Sequence, residues 1–319
     1  MCLNTRRLGD KKMGKPKISI CIPAYNNAEE VRRLLDSIFK QTFQDWEIIL
    51  TDDSTNEEIS VLVKETAQDR LHYIHNEKPL GHIFNWNKAL SEAKGQYIKI
   101  MFSDDWFAER DSLEKMAALL DNNPQASMAF CGTMQVTLDA AGIENRDVKA
   151  YARAAGDWYT DRLAEDYRNL FLGNEIGAPS ATLYRACGAV FDEKSNWASD
   201  MFLYFEILGK NPRFVYTKDP LVSIGIHQEQ YTGMFLEKDI RKFNDMLYMY
   251  EKYKLRESEA CRQYMLDQIL KFDQGWGIAK RCGIDRKQYI VRGLSWFWKN
   301  TVLGYWNGAM HKLGVNQRG

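Results

Sequence analysis

The amino-acid sequence predicts an α/β fold with a mainly parallel central sheet, helices on both faces of that sheet, and a helical C-terminal extension. Short apolar runs alternate with segments of helical periodicity over roughly the first hundred residues, which is typical of a parallel sheet. Polar side chains directly follow three of these runs. From about residue 235 onward, long helical segments predominate. We therefore expect a basic, flexible leader over residues 1–16, an α/β domain over 17–234 and a helical region over 235–319.

Strands and helices alternate regularly in the first third of the chain. Apolar runs predict strands over 17–23, 46–51, 71–75 and 97–102, and apolar residues at helical spacing predict helices over 29–41, 57–69 and 83–93. Pro23 ends the first strand, a turn at Gly81 precedes the third helix, and Gly95 ends that helix. Because right-handed crossovers place the carboxyl ends of parallel strands at one edge, we expect the residues that follow these strands to converge.

Shorter strands and then long helices are predicted for the rest of the chain. Strands are expected over 128–136, 178–185, 214–216 and 221–226, a surface excursion over 142–157, and helices over 159–171 and after 196–200. Residues 286–313 carry apolar side chains at three- and four-residue spacing, with basic and polar residues elsewhere. A basic, Trp-rich helix of this kind either lies at a membrane interface or packs on the protein body, and the pattern leaves both open.

Charge and composition restrict the class of protein. The 43 basic and 43 acidic residues cancel, so no global field favours nucleic acid. Residues 1–17 nevertheless carry six basic side chains against one acid, and residues 280–319 carry eight against one, so both ends could favour an anionic membrane surface. The sequence shows no signal-peptide core, no apolar run long enough to span a bilayer, and no CxxC spacing. We expect a cytoplasmic protein, with peripheral association with the inner face of the cell membrane as a further possibility.

Two adjacent carboxylates, Asp104 and Asp105, follow the buried strand 97–102. Carboxylates this close repel one another, and a divalent cation such as Mn²⁺ or Mg²⁺ relieves that repulsion through oxygen ligands. The alternative is that Asp105 caps a helix. Tyr25-Asn26 and Asp52-Asp53 follow the neighbouring strands, so polar groups distant in sequence are expected to converge in one crevice.

Taken together, these segments resemble the family 2 inverting glycosyltransferases of GT-A fold over roughly residues 16–232. The resemblance rests on 18–26, on Leu50–Ser54, on Gly81, Asn87 and Gly95, on Ser103–Asp105, on 196–200 and on 221–227. It implies that Asp200 is the catalytic base and that Asp104, Asp105 and His227 bind the metal. The nucleotide-binding residues that it implies are Pro23, Ala24, Tyr25, Asn26, Asp53, Gly81, Asn87 and Asp104.

The resemblance also implies the reaction. A hexosyl or N-acetylhexosaminyl group would move from a UDP-sugar to a hydroxyl of a glycan or lipid-linked acceptor, with inversion at the anomeric carbon. Mn²⁺ or Mg²⁺ would stabilise the leaving diphosphate, and Asp200 would accept the proton of the hydroxyl. The sequence lacks a Gln-x-x-Arg-Trp motif, which disfavours a processive synthase, and a non-processive enzyme of bacterial surface-glycan type is expected.

Several alternatives stay open at this point. Asp200 could be a simple helix cap, Asp53 an Asx-turn residue, and His227 a structural histidine. Four positions depart from the family pattern: Trp86, Phe102, Ser199 and Gly225. A catalytically inactive, membrane-associated scaffold of the same fold would tolerate these departures. A sugar nucleotidyltransferase is a second rival, although such enzymes need a glycine-rich basic loop after the first strand, and 23–27 contains no Gly, Lys or Arg.

Overall fold

A computed structural model describes residues 14–139, 144, 151–153, 160–227 and 236–298. Contacts divide the described residues into a sheet unit, within Met1–Asp157, Ile176–Glu193 and Lys210–His227, and a helical unit, within Trp158–Glu175, Lys194–Gly209 and Gln228–Gly319. The helical unit therefore also takes two segments from inside the predicted α/β domain. Most of the predicted leader and of the excursion over 142–157 lies outside the described residues, as does the end of the last predicted helix.

The first half of the sheet is parallel, and the predicted alternation is confirmed. Its strands are β1 (Ile18–Ala24), β2 (Trp46–Asp52), β3 (Leu71–His75) and β4 (Tyr97–Ile100), in the spatial order β3-β2-β1-β4. The crossovers contain α1 (Ala28–Phe39), α2 (Glu58–Thr66) and α3 (His82–Glu92). Every residue of β1, β2 and β4 is buried, because layers cover both faces of a parallel sheet. This explains why these strands are nearly continuous apolar runs.

The second half of the sheet is mixed. It contains β5 (Trp106–Phe107), β6 (Met128–Thr137), β7 (Tyr151–Arg153), β8 (Thr182–Arg185) and β9 (Phe214–Ile226). Beyond β4 the order is β8-β6-β9-β5, with β7 also on β6; β6 and β9 run parallel, and the other pairings are antiparallel. The described part of the sheet is therefore only half parallel, and the description "mainly parallel" fits β1 to β4.

Several local predictions differ from the structure. The expected strand 178–185 begins only at Thr182, after a 3₁₀ turn, and the expected helix 159–171 is divided into a short helix over Thr160–Glu165 and a 3₁₀ turn. β9 is one strand where two were predicted, because a register shift opposite Cys131 and Gly132 lets the ladder continue past Pro220. Asp105 precedes β5 and does not cap a helix; the next helix, α4 (Ser112–Asp121), begins later. Neither β5 nor α4 was predicted, although Leu113, Met116, Ala117 and Leu120 of α4 are buried at helical spacing.

The helical unit contains α5 (Thr160–Glu165), a 3₁₀ turn over Tyr167–Leu172, most of α6 (Ser199–Lys210), α7 (Ile240–Lys252), α8 (Glu259–Lys271), α9 (Trp276–Arg281) and α10 (Arg286–Phe297). The apolar face of α6 packs within this unit, where Phe205 stacks on Tyr253 at 4.5 Å between ring centroids. Among the described residues, no helix combines the length and the apolarity that crossing a membrane requires.

Candidate active site

The residues after β1, β2 and β4 meet at one edge of the sheet. Parallel pairing of β1 with both β2 and β4 brings these strand ends together. The Asn26 backbone N–H donates to the Ser54 hydroxyl at 2.8 Å, and the Thr55 N–H donates to the Asn26 side chain at 3.0 Å. On the other side, the Asn27 amide donates to the Ser103 hydroxyl. These bonds join the three turns into one polar surface, as the sequence predicts.

Asp53 organises the loop that leads into α3. Its carboxylate is 4% exposed and accepts hydrogen bonds from the Asn76 amide at 3.0 Å, the Leu80 N–H at 2.7 Å and the Gly81 N–H at 2.8 Å. Gly81 has a φ of 85°, a left-handed conformation that glycine adopts without strain. Oδ2 has a single partner among these bonds, so it keeps capacity for a further donor.

Asn85 and Asn87 of α3 anchor this helix to the sheet unit. The buried Asn85 amide donates to the carbonyls of Ala24 at 3.3 Å and Thr51 at 3.2 Å, at the ends of β1 and β2. Asn87 forms two bonds with the backbone of Phe191, at 2.9 and 2.8 Å. The structure therefore places the Asn87 amide against the chain itself, and its predicted nucleotide contact stays a prediction.

Asp104 and His227 form the accessible polar pair of the site. The His227 Nε2 atom lies 3.4 Å from Asp104 Oδ2, and the two side chains are about one-fifth exposed (21% and 22%). Burial, and then the negative charge of the Asp104 carboxylate, raise the pKa of Glu30. The Arg33 guanidinium donates to the Asp104 backbone carbonyl at 3.1 Å and stacks over Trp106 at 4.2 Å. Arg33 thus holds the backbone of Asp104 in place.

Asp105 lies behind this pair and is 2% exposed. Its carboxylate accepts the Gly225 N–H at 3.2 Å and a hydrogen bond from Ser180. Burial, and secondarily the Asp104 carboxylate, raise the pKa of Asp105, whereas the buried Lys99 ammonium lowers it. Asp105 therefore joins β9 to the turn after β4, and its predicted role as a metal ligand stays a prediction.

Three of the four departures from the family pattern lie in the sheet unit, and the structure explains them. Trp86 packs against Phe102 and Phe191, with ring centroids 4.8 Å apart in both pairs, so two of the departures form one aromatic cluster. Gly225 stands where the chain cannot hold a side chain, because a Cβ atom there would lie 2.4 Å from the Asp104 carbonyl oxygen. An arginine at that position would displace the turn that carries Asp104 and Asp105.

Replacing Gly225 with Ala is expected to lower the free energy of unfolding by about 1–3 kcal/mol, because the added methyl group forces β9 away from the Asp104 backbone. Urea denaturation measures the change. Gly277→Ala is the matched control, since an added Cβ at that helical position would meet no atom within 4 Å beyond the neighbouring backbone of its own helix, and it should be neutral or slightly stabilising. Equal stability of Gly225→Ala and the parent protein would contradict the close approach.

The chemistry of the Asp104–His227 pair is compatible with a divalent cation. One carboxylate and one imidazole are donors that Mn²⁺ accepts, and both side chains are accessible. Within the described ranges, no group of three or more His, Cys, Asp or Glu side chains is placed to hold a metal ion. The arrangement therefore fits a cation held by two protein donors, whose other ligands come from substrate phosphates and water.

Asp200 belongs to the helical unit, in the first turn of α6. Its half-buried carboxylate accepts hydrogen bonds from the Asn174 amide at 2.5 Å and the Met201 N–H at 2.7 Å. Burial raises the pKa of Asp200 to about 6, against the opposing effect of these bonds. The carboxylate is thus ionised at neutral pH and is a stronger base than an exposed aspartate.

Asp245 holds the loop that precedes Asp200 in the chain, and the sequence analysis did not identify Asp245. This α7 carboxylate is 2% exposed and accepts the consecutive backbone N–H groups of Asn196 at 2.9 Å, Trp197 at 2.6 Å and Ala198 at 2.9 Å. Forty-five residues separate Asp245 from Asp200, and no local pattern links them. The signal available in the sequence was an acidic residue among the apolar positions of 240–252, which are expected to face the core.

Asp245→Asn is expected to destabilise the protein by about 2–4 kcal/mol, because an amide cannot accept three N–H groups as a carboxylate does. The midpoint of urea denaturation gives the loss. Asn196→Ala removes the bonds from the Asn196 side chain to Asp245 (3.2 Å) and to the Lys194 carbonyl (3.3 Å), leaves the three backbone N–H bonds in place, and should cost less than about 1.5 kcal/mol. If the two variants lose equal stability, the carboxylate is not what holds the loop.

Comparison with known proteins identifies the class of protein. The structure is similar to Staphylococcus aureus TarS 1–349 in complex with UDP-GlcNAc, with a TM-score of 0.58 and 18% identity over 79% of this chain and 71% of that one. It is also similar to the mannosyltransferase PcManGT from Pyrobaculum calidifontis in complex with GDP-Man and Mn²⁺, with a TM-score of 0.52 and 15% identity over 92% and 83% of the two chains. The fold is thus that of the GT-A glycosyltransferases.

Sequence comparison then gives the family. The profile of glycosyl transferase family 2 matches residues 19–186, and the chain belongs to that family. The putative teichuronic acid biosynthesis glycosyltransferase TuaG of Bacillus subtilis is 34% identical over 41% of this chain and 52% of that protein. The Escherichia coli glucosyltransferase WfgD, which uses UDP-Glc and α-D-GlcNAc-diphosphoundecaprenol, is 31% identical over 33% and 42%. The chain thus matches about half or less of the length of these relatives.

Proposed function

We propose that this glycosyltransferase moves a sugar from a UDP-sugar to a hydroxyl of a glycan or lipid-linked acceptor, with inversion, during assembly of a bacterial surface polysaccharide. The observation that carries the proposal is that the polar groups following β1, β2 and β4 lie at one edge of a sheet in a family 2 chain. The names of TuaG and WfgD support the class of acceptor, and the ligands of TarS and WfgD support a uridine nucleotide.

In this proposal, the nucleoside binds at the turns after β1 and β2. Tyr25 is 55% exposed and offers an aromatic face on which a base can stack. The spare capacity of Asp53 Oδ2 can accept the imide N–H of uracil, although the carboxylate is mostly buried. Pro23, Ala24, Asn26, Gly81 and Asn87 remain the other proposed contacts of the nucleotide.

The diphosphate is assigned to Asp104 and His227. These side chains would hold Mn²⁺ or Mg²⁺, with Asp105 as the further predicted ligand. When bound, the cation supplies positive charge that stabilises the leaving diphosphate. His227 can also donate directly to a phosphate oxygen, and Asp104, anchored by Arg33, keeps that imidazole oriented.

Asp200 is the proposed base. The acceptor oxygen forms a bond to the anomeric carbon on the face opposite the nucleotide, while the bond from that carbon to the diphosphate oxygen breaks and UDP leaves. The hydroxyl proton passes to the Asp200 carboxylate, whose pKa of about 6 keeps it ionised at neutral pH. Asn174 orients the carboxylate through its bond to one oxygen.

Nucleotide release from a panel of UDP- and GDP-sugars, with and without Mn²⁺ and with a lipid-linked acceptor, tests the proposal. We expect Mn²⁺-dependent release of UDP and a glycosylated product. A sugar nucleotidyltransferase would instead release pyrophosphate from a nucleoside triphosphate and a sugar phosphate. An absence of turnover with every donor would favour an inactive scaffold and contradict the proposal.

A further inference from the structure

Helix α10 exposes an apolar face. Among the large apolar side chains of this helix and of the residue that follows it, five are at least half exposed: Ile290 at 50%, Val291 at 59%, Leu294 at 66%, Phe297 at 59% and Trp298 at 58%. Their spacing of three, four and seven residues places them on one side of the helix. No residue of α10 is fully buried. We name these five residues the α10 apolar face.

The opposite side of α10 attaches the helix to the helical unit. Arg292 forms a bidentate pair with Asp267 of α8, at 2.6 and 2.7 Å. Tyr289 packs against Trp276 of α9 at 5.5 Å between ring centroids, and a Cβ atom at Gly293 would lie 3.7 Å from Leu270. The Asp285 capping box fixes the start of the helix. The helix is thus held by its polar and small residues and presents its apolar residues outward, the reverse of an ordinary packed helix.

The charge around the face indicates its partner. Residues 276–298 contain five basic side chains and one acid. Arg281 and Arg292 are paired with Glu251 and Asp267, whereas Arg286 and Lys287 are exposed in the first turn and stand four residues before Ile290 and Val291 on the same side. Basic residues that flank exposed Leu, Phe and Trp match an anionic lipid surface, with the charges at the headgroups and the apolar side chains below them.

We propose that the α10 apolar face binds the surface of an anionic membrane. The helix lies in the interface plane and leaves the bilayer core uncrossed, which agrees with the absence of a spanning helix from the described ranges. Since this proposal concerns where the protein resides, it holds whichever sugar is transferred. It also suits a lipid-linked acceptor, because binding at the interface confines the enzyme to the plane that holds such a substrate.

Cosedimentation of the full chain with vesicles of phosphatidylcholine, alone or mixed with phosphatidylglycerol, tests the proposal. We expect binding to the mixed vesicles and at least about tenfold weaker binding of the double variant Leu294→Asp/Phe297→Asp. Arg286→Gln/Lys287→Gln should weaken binding to mixed vesicles selectively. Val61→Asp changes an exposed apolar residue of the sheet unit (47% exposed) and should bind as the parent does.

Because the substituted side chains are exposed, each variant should keep the thermal unfolding midpoint of the parent, and this measurement verifies folding. Equal vesicle binding by parent and Leu294→Asp/Phe297→Asp would overturn the proposal. An absence of vesicle binding by the parent would also overturn the proposal. The α10 apolar face would then be covered by another occupant, either residues 299–319 or a second copy of the chain. Light scattering distinguishes these two occupants, because a second copy would give a dimer that Leu294→Asp/Phe297→Asp dissociates.

Discussion

Replacing Asp200 with Asn is expected to lower kcat by about a thousandfold while UDP affinity stays unchanged. Asn cannot accept the proton of the acceptor hydroxyl, yet its carbonyl oxygen can still accept the bond from Asn174. The proposed uridine contacts belong to residues of the sheet unit, so they should not depend on this change. Steady-state transfer kinetics and calorimetric titration with UDP measure the two quantities separately.

Two variants are matched controls for this experiment. Asp161→Asn removes an exposed carboxylate from the first turn of α5 and should retain full activity. Glu175→Gln tests whether Glu175 is the base instead of Asp200. Glu175 follows Asn174 in the chain, and burial raises its pKa to about 7. A large loss of kcat in Glu175→Gln, with little loss in Asp200→Asn, would transfer the role of base to Glu175.

The raised pKa of Asp200 also predicts the pH dependence. A base must be deprotonated, so kcat/KM should fall below pH about 6, with about one-tenth of the activity left one unit lower. The pKa of Asp200 in the folded protein exceeds its value of about 3.9 in the unfolded chain, so the folded protein binds the proton more tightly. The free energy of unfolding therefore falls as pH rises from about 4 to 6, and it is not regained at higher pH. Asp200→Asn avoids this cost, and we expect it to be more stable than the parent by about 2 kcal/mol at pH 7.

Replacing Asp104 with Ala is expected to lower kcat/KM by about a hundredfold and to abolish the effect of Mn²⁺ on UDP affinity. The substitution removes the accessible carboxylate beside His227, while the carbonyl bond from Arg33 involves only the backbone and remains. Titration of the protein with UDP at several Mn²⁺ concentrations measures the coupling. Glu92→Gln, an exposed acid at the end of α3, is the control and should behave as the parent does.

UDP affinity that does not respond to Mn²⁺ in the parent protein would refute the metal assignment. Asp105→Asn provides a useful contrast with Asp104→Ala. Because Asp105 is buried between Gly225 and Ser180, its replacement should lower stability as well as activity. If Asp104→Ala keeps the Mn²⁺ effect and a folded Asp105→Asn loses it, Asp105 is the principal ligand.

Regular periodicity made the parallel half of the sheet predictable. β1, β2 and β4 are buried on both faces, so selection for apolar side chains leaves continuous runs that end sharply at polar residues. The rule that parallel strands end at one edge then placed the turns at Asn26, Ser54 and Ser103 together, and the structure confirms this. Local sequence and one topological rule were sufficient here.

The mixed half depends on contacts that local sequence does not encode. β5 has two residues, too few for a periodic signal, and it exists because β9 pairs with it. The partners of β8 are set by tertiary packing. Asp245 is likewise distant from the loop that it holds. Trp86 and Phe102 looked like separate departures from the family pattern, and only their 4.8 Å contact explains why they occur together.

The most direct test of the account is the structure of the full chain in complex with Mn²⁺ and an unreactive UDP-sugar analogue. We predict uracil beside Asp53, the diphosphate beside Asp104 and His227, and the Asp200 carboxylate on the side of the anomeric carbon opposite the diphosphate, where an acceptor hydroxyl fits within roughly 3 Å of it. An analogue bound away from the ends of β1, β2 and β4, or an Asp200 directed away from the anomeric carbon, would contradict the account.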